Sequence, residues 1–415
     1  MSTTHFRYVI IGGGVGAGYA ARTFVAEDEE VGSQLCILSA DDALPYERPA
    51  LSKQFLAGEE SLDDILINSA DFYSEHDIDI RLETVVDAVD FDEREVHIGA
   101  DRIGFDNLLI ATGATPKRLP LPGFDLAGVH TLRQVDDARA ILRETADVER
   151  AVVLGGSFIG MEVAATLQDR GVATSMVFPE GRVWEAFFTP AMSDFFERYY
   201  RERGVEIFSR VKPKELLGSD GHVEHVVLET GRALPAELVV AGVGVAPNVD
   251  LARETPLHLD DGIVVNRFLE TNVRGVFAAG DVARFRDPRT DELRRIEHWD
   301  NAKTQAQHAA RGMLGMRREY RHVPYFFSDV FDLSYEFWGD TSHAATTVRR
   351  GSFDDAAFST WWLDDDNRLV AAFVMSRPDE ERELAPAWIR DGVELDPDVL
   401  RRAEALQGAA AEPQI

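Results

Sequence analysis

The chain has 415 residues, 45% of them hydrophobic and 28% charged, a length that calls for two or three domains rather than one core. Its formal net charge of −30 excludes a nucleic-acid partner, which would need basic patches over the phosphates. No run of about 18 apolar residues occurs, so no membrane span is expected. The first apolar run ends in glycines rather than in an export-signal cleavage region, which makes a cytoplasmic protein the expectation. The acidity is read as that of a protein kept in solution in a salty cytoplasm. The alternative is an acidic face that steers a basic partner.

Tyr8–Ala17 reads YVIIGGGVGA: a short apolar run breaks into glycines and then into a small-residue helix pattern. This is strand, tight turn and helix N-terminus. Gly12 permits the turn, Gly14 admits a pyrophosphate, and Ala17 keeps helix and strand close. The free N–H groups and positive end of the helix then face the phosphates. The next strand, Leu35–Ser39, carries the single cysteine, Cys36, as a buried structural thiol. One cysteine excludes an intramolecular disulfide and any two-cysteine redox centre. Past that strand, Asp41 is the acid expected to bind ribose hydroxyls. PYERPALSK follows, with Arg48 and Lys53 suited to a loop over a diphosphate and a helix expected near Pro49.

Residues 80–97 alternate as a strand does, and a buried strand then feeds Ala111-Thr112-Gly113, where the chain leaves its first nucleotide domain. A second unit, AVVLGGSFIG, puts Gly155, Ser157 and Gly160 at the fingerprint positions. Ser157 stands in for the middle glycine, and its hydroxyl is able to donate to phosphate. The strand Thr174–Phe178 leads to Glu180, an acid that binds the adenosine ribose and repels a 2′-phosphate, so NADH is expected over NADPH. Gly242 and Gly244 close this domain in AGVGVAPN. In FAAGDV, Asp281 is expected to cap a helix, to hold a ribitol hydroxyl, or both. Two fingerprints with downstream acids imply two nucleotides, FAD and NAD(H).

Together the two glycine-rich units, the ATG phrase, GVGVAPN and FAAGDV resemble the flavoproteins with two dinucleotide-binding domains. PYERPALSK, EHWDNAK and VPYFFSDVFDLSYEFWGD resemble the branch of monodehydroascorbate reductases, ferredoxin reductases and apoptosis-inducing-factor-like proteins. The resemblance implies a glutathione-reductase-like α/β fold. An FAD-binding domain (1–115 and 245–320) would enclose an NAD(H)-binding domain (116–244). A C-terminal α/β domain (321–404) and a tail without order (405–415) would follow. It implies that Gly12, Gly14, Ala17, Asp41, Arg48, Lys53, Val86, Ala111, Arg133 and Asp281 contact FAD. Lys53 and Glu162 would be the ion pair near the flavin N5, and Glu297, His298 and Trp299 would lie beside the ring. Without the family, His298 reads as a helix-start histidine bonded to backbone. The aromatics of 325–338 read as packing under the flavin domain, and Arg317–Arg321 as a solvated turn or a docking site for an acidic ferredoxin.

Plant-type monodehydroascorbate reductases hold the ascorbyl radical with an arginine and a tyrosine where this chain has Lys303 and Phe327. The expected enzyme takes hydride from NADH onto FAD and passes single electrons to an iron–sulfur protein, as a monomer or homodimer. A small radical or quinone acceptor is the first alternative, and a redox-signalling role the second. No metal is required.

Overall fold

The computed structural model describes residues 4–402 and Leu406, so the expected tail from 405 lies, but for Leu406, outside the described residues. The chain forms two compact units. One holds the stretch ending at Leu51, then Glu60–Lys117 and Gly244–Arg321; the other holds Ser52–Glu59, Arg118–Val243 and the chain from His322 on.

In the first unit the strand Thr4–Ile11 is central, paired in parallel with Leu35–Leu38 on one side and Asp101–Ile110 on the other. Both faces of such a strand are covered, which is why its second half is an unbroken apolar run rather than an alternation. The order continues outward through Asp79–Arg81 beyond Leu35–Leu38. Val276–Ala278 pairs in parallel with the end of Asp101–Ile110, bringing a late segment back into the first sheet. The helix Val15–Glu27 lies against Trp299–Met313, and small residues let them approach: a Cβ on Gly16 would stand 3.6 Å from that of Ala306.

Residues 80–97 do not form the continuous strand their alternation suggests. They break into the end of Asp79–Arg81, then Ala88–Asp90 and Glu95–Ile98, with Glu83 and Arg94 in left-handed turn conformations. The helix expected near Pro49 is a 3₁₀ turn, Arg48–Ser52, followed by one short α-turn, Gln54–Ala57.

The second unit contains a parallel sheet in the order Glu206–Phe208, Ala173–Val177, Arg150–Leu154, Leu238–Ala241, Val129–Thr131. It also contains a five-stranded antiparallel sheet, from Tyr325–Val330 to Thr346–Ser352 at its edges. Phe326, Tyr335, Phe337 and Trp338 are buried, as packing residues are. Phe326 stacks on Phe158 with centroids 5.6 Å apart, and Tyr335 meets Trp184 at 5.6 Å and Phe196 at 5.5 Å. These partners come from the stretch read as nucleotide-binding, while within the antiparallel sheet Tyr335 also meets Phe373 at 5.1 Å and Phe337 meets Trp362 at 5.6 Å. The α/β class with parallel nucleotide-type sheets is as expected from the sequence.

Candidate functional site

The first glycine-rich turn is built by close approach. Gly12 has φ +127°, and a Cβ there would lie 2.2 Å from the Ala111 carbonyl oxygen. A Cβ on Gly13 would overlap the Ser39 hydroxyl at 1.8 Å, so the turn sits directly on the tip of the second strand. Gly14 is different: its Cβ would meet only the Arg48 guanidinium, at 3.5 Å. Gly14 is also the N-cap of Val15–Glu27, with no side-chain capping bond and no acid in the first turn. The helices starting after Thr189 and His298, by contrast, are capped by side chains. Free helix N–H groups, an open Cα and an arginine opposite it suit a dinucleotide pyrophosphate.

Other residues named from the sequence belong to the same unit. Ala17 is fully buried and Val86 nearly so. Asp41 accepts a 3.4 Å hydrogen bond from the Tyr46 hydroxyl, and burial raises its carboxyl above the ordinary range. Asp281 is buried but does not cap a helix. It lies inside the 3₁₀ turn Gly280–Val282, whose start has no side-chain cap, and the chain goes straight on into the strand Ala283–Arg286. Gln305, which the sequence reading passed over, holds that turn. Its Oε1 accepts from the Gly280 N–H at 2.9 Å, while its buried Nε2 has no partner among the described residues. Gly244 has φ +92° and belongs to this first unit.

Trp299 and Lys303 form a second cluster in the same unit. Glu47 accepts from the Tyr19 hydroxyl at 2.6 Å and from the Trp299 indole N–H, fixing both rings. The Lys303 ammonium lies 4.6 Å from the Trp299 centroid and 4.8 Å from that of Tyr19, in cation–π contact with both. His298 is the helix N-cap, its Nδ1 accepting from the Asp300 N–H at 3.2 Å, the helix-start role open to it on sequence alone. Glu297 is paired with Arg295 at 2.7 Å. Arg317 pairs with Glu270 at 2.9 Å and Arg321 with Glu319 at 2.6 Å, so these two cations of the basic run are balanced in place.

In the second unit the glycine-rich turn repeats the pattern. Gly155 has φ +125° with its Cβ position 2.3 Å from the Gly242 carbonyl oxygen, and a Cβ on Gly160 would lie 2.2 Å from that of Gly155. Ser157 is the N-cap of Phe158–Asp169 but makes no side-chain cap, and the first turn holds no acid. Glu180 is exposed beyond the strand Ala173–Val177. Arg133 precedes the helix Val135–Glu144, its backbone N–H donating to Asp137.

This unit also buries Lys53 and Glu162 as an ion pair, Nζ to Oε1 2.9 Å, each less than a tenth exposed. Both carboxylate oxygens are further satisfied. The Ser52 hydroxyl donates to Oε2 at 2.5 Å and the Ser328 hydroxyl to Oε1 at 2.6 Å. The Lys53 ammonium stands 5.4 Å from the centre of the Phe327 ring. A buried pair saturated in this way is a fixed charge arrangement rather than a loose surface bridge.

Cys36 is free and buried, and burial pushes its thiol up to about 12. Among the described residues no cluster of three or more His, Cys, Asp or Glu is arranged for a metal ion, and no helix is long and apolar enough to cross a membrane.

The family model for pyridine nucleotide-disulphide oxidoreductases matches residues 6–306, and that for the reductase C-terminal domain matches 325–407. A monodehydroascorbate reductase of Oryza sativa subsp. japonica is 34% identical over 97% of this chain and 86% of its own length. The ferredoxin reductase of the CYP199A2 system from Rhodopseudomonas palustris superposes with a TM-score of 0.92 at 28% identity, over 97% of this chain and all of that one. Putidaredoxin reductase, from its covalent complex with putidaredoxin, gives 0.90 at 30% identity, over 97% of each chain. The fold is thus the glutathione-reductase-like one expected, and the lone buried cysteine leaves no disulphide to reduce. The chain belongs to the pyridine nucleotide-disulphide oxidoreductase family and is an FAD- and NAD(P)H-dependent oxidoreductase.

Proposed function

We propose that the protein is an NADH-dependent reductase of a small ferredoxin-type iron–sulfur protein. In this reading residues 1–115 with 245–320 bind FAD and 116–244 bind NAD(H). The turn at Gly12–Gly14, with Arg48 opposite, holds the FAD pyrophosphate, while Asp41 holds a ribose and Asp281 a ribitol hydroxyl. The turn at Gly155–Gly160 holds NADH, and Glu180 binds its adenosine ribose and disfavours a 2′-phosphate. Bound FAD supplies the step from a two-electron hydride to single electrons. One NADH oxidised then reduces two acceptor molecules and releases one proton. Lys53 and Glu162 are a fixed, buried charge pair, and Trp299, tied to Glu47, gives a rigid wall. No nucleophile or metal of the protein takes part. A cytoplasmic location is part of the same reading.

The observation that carries the choice of acceptor is the pair Lys303 and Phe327. Lys303 lacks a guanidinium fork and is engaged by two aromatic rings; Phe327 has no hydroxyl and lies under the Lys53 ammonium. Phe327 has no group to hydrogen-bond a small oxyanion radical, and Lys303 offers it a point charge in place of a bidentate fork. The ferredoxin and putidaredoxin reductases among the structural neighbours support the same acceptor class. Steady-state NADH oxidation with an oxidised [2Fe–2S] protein, compared with enzymatically generated ascorbyl radical, tests the choice. Turnover with the iron–sulfur protein alone is expected. Turnover with the radical alone would make the chain a monodehydroascorbate reductase with an altered pocket.

A further inference from the structure

We propose that Gln305 is a positioning residue for the flavin cofactor, setting the Asp281 carboxylate in register with the first glycine-rich turn. The inference rests on reading Gly12–Gly14 and Asp281 as two contacts of one FAD, and adds what keeps them at a fixed separation. Both rest on the helix Trp299–Met313. A Cβ on Gly16, in the first turn of Val15–Glu27, would lie 3.6 Å from that of Ala306. One residue back, the Gln305 Oε1 accepts from the Gly280 N–H at 2.9 Å. A Cβ on Gly280 would stand 3.2 Å from that of Ala302, three positions before Gln305 and so on the same face of the helix. Arg295 holds the same turn, its guanidinium donating to the Asp281 carbonyl at 3.2 Å.

Fold stability alone does not account for a glutamine here. Gln305 is fully buried, and its Nε2 has no partner among the described residues. With Oε1 turned to the Gly280 N–H, the amide presents its NH2 where no acceptor stands. A leucine would remove that unmatched donor but leave the buried Gly280 N–H unmatched in its place, so the fold carries an unsatisfied donor either way. What the glutamine adds is the place of Gly280, and with it that of Asp281, the next residue and less than a tenth exposed. The turn has only three residues before the strand Ala283–Arg286 begins, so a shift at Gly280 passes directly to Asp281. Gly280, at φ +79°, has the widest backbone freedom in the turn, which is why a tether there is effective.

Equilibrium release of FAD from the holoproteins on dilution, read from flavin fluorescence, tests this in a double-mutant cycle of Gln305→Leu and Asp281→Asn. Gln305→Leu is expected to weaken FAD binding about tenfold, the scale of one hydrogen bond to a carboxylate. It is also expected to alter the visible circular dichroism of the flavin still bound, which a loss of fold stability alone would leave as it is. In the Asp281→Asn background, Gln305→Leu is expected to change FAD affinity by less than about twofold, because the contact through which it acts is already lost. Gln305→Met, close to glutamine in length but without the amide, is expected to behave as Gln305→Leu does and takes its place if that protein does not fold. Equal weakening by Gln305→Leu in both backgrounds, or in neither, overturns the assignment. Undiminished FAD binding by Asp281→Asn overturns the reading of Asp281 instead, and the proposal with it.

Discussion

Gly12→Ala and Gly14→Ala separate what the first turn does for the fold from what it does for the cofactor. At Gly12 the added methyl would meet only backbone: the Ala111 oxygen at 2.2 Å, its carbon at 2.7 Å and the Thr112 nitrogen at 3.3 Å. That backbone is not free to retreat. The Ala111 N–H donates to Ile11 at 2.8 Å, and Thr112 is bonded twice to Asn248, at 2.8 and 2.9 Å. Strain at φ +127° costs about 1–3 kcal/mol and the overlap about as much again, so Gly12→Ala should lose about 2–6 kcal/mol. For a domain of this size that is a fall in Tm on the order of 10 °C. At Gly14 the nearest atoms are those of Arg48 at 3.5 Å, an ordinary contact, and φ is −91°. Gly14→Ala should therefore melt close to the unsubstituted apoprotein while its methyl enters the space proposed for the pyrophosphate. The assay is thermal unfolding of the apoproteins beside retention of FAD through gel filtration. A Gly12→Ala apoprotein with unchanged Tm, or a Gly14→Ala protein with full FAD affinity, would refute this account of the turn.

Three further substitutions follow from burial and charge. Lys53→Met leaves Glu162 buried with only its two serine donors and should cost about 2–4 kcal/mol, most of it recovered in Lys53→Met/Glu162→Gln, as denaturant unfolding of a double-mutant cycle would reveal. Asp287 is fully buried, and although burial opposes its ionisation, Arg289 at 2.7 Å and Arg294 at 3.1 Å hold its carboxyl below the ordinary range. A depressed folded value means its stabilisation is present above the unfolded value of about 4 and is lost as pH falls through the folded one. Melts of Asp287→Asn against the unsubstituted protein should differ at neutral pH and converge in acid. Cys36, its thiol raised to about 12, should resist a thiol-specific disulfide reagent at pH 8 in the folded protein and react once the chain is unfolded.

Both glycine-rich turns could be read from the sequence because their signal is local: an apolar run, glycines and a small-residue helix within about ten residues. The same locality misled at Asp281, where strand-glycine-acid looks like a helix start but the turn closes after three residues. It also misled at 80–97, where alternation survives across three short strands that turns have separated. What sequence could not show is what distant segments bring. Glu47 fixes Trp299 across 252 positions, and Ser328 reaches Glu162 across 166. Gln305 carries no motif at all, and its place follows from a buried amide bonded to the Gly280 N–H. Only the folded backbone makes it a neighbour of the residues that motifs do identify.

The central claim is that a hydride enters from NADH and electrons leave singly to an iron–sulfur protein. Anaerobic stopped-flow mixing of the FAD-loaded protein with one equivalent of NADH, followed by oxidised [2Fe–2S] ferredoxin, tests it most directly. The account predicts rapid bleaching of the flavin and then its recovery at a catalytic rate, with two ferredoxins reduced per NADH. Slow bleaching, or a reduced complex that persists after ferredoxin is added, would contradict it and favour a redox-signalling role.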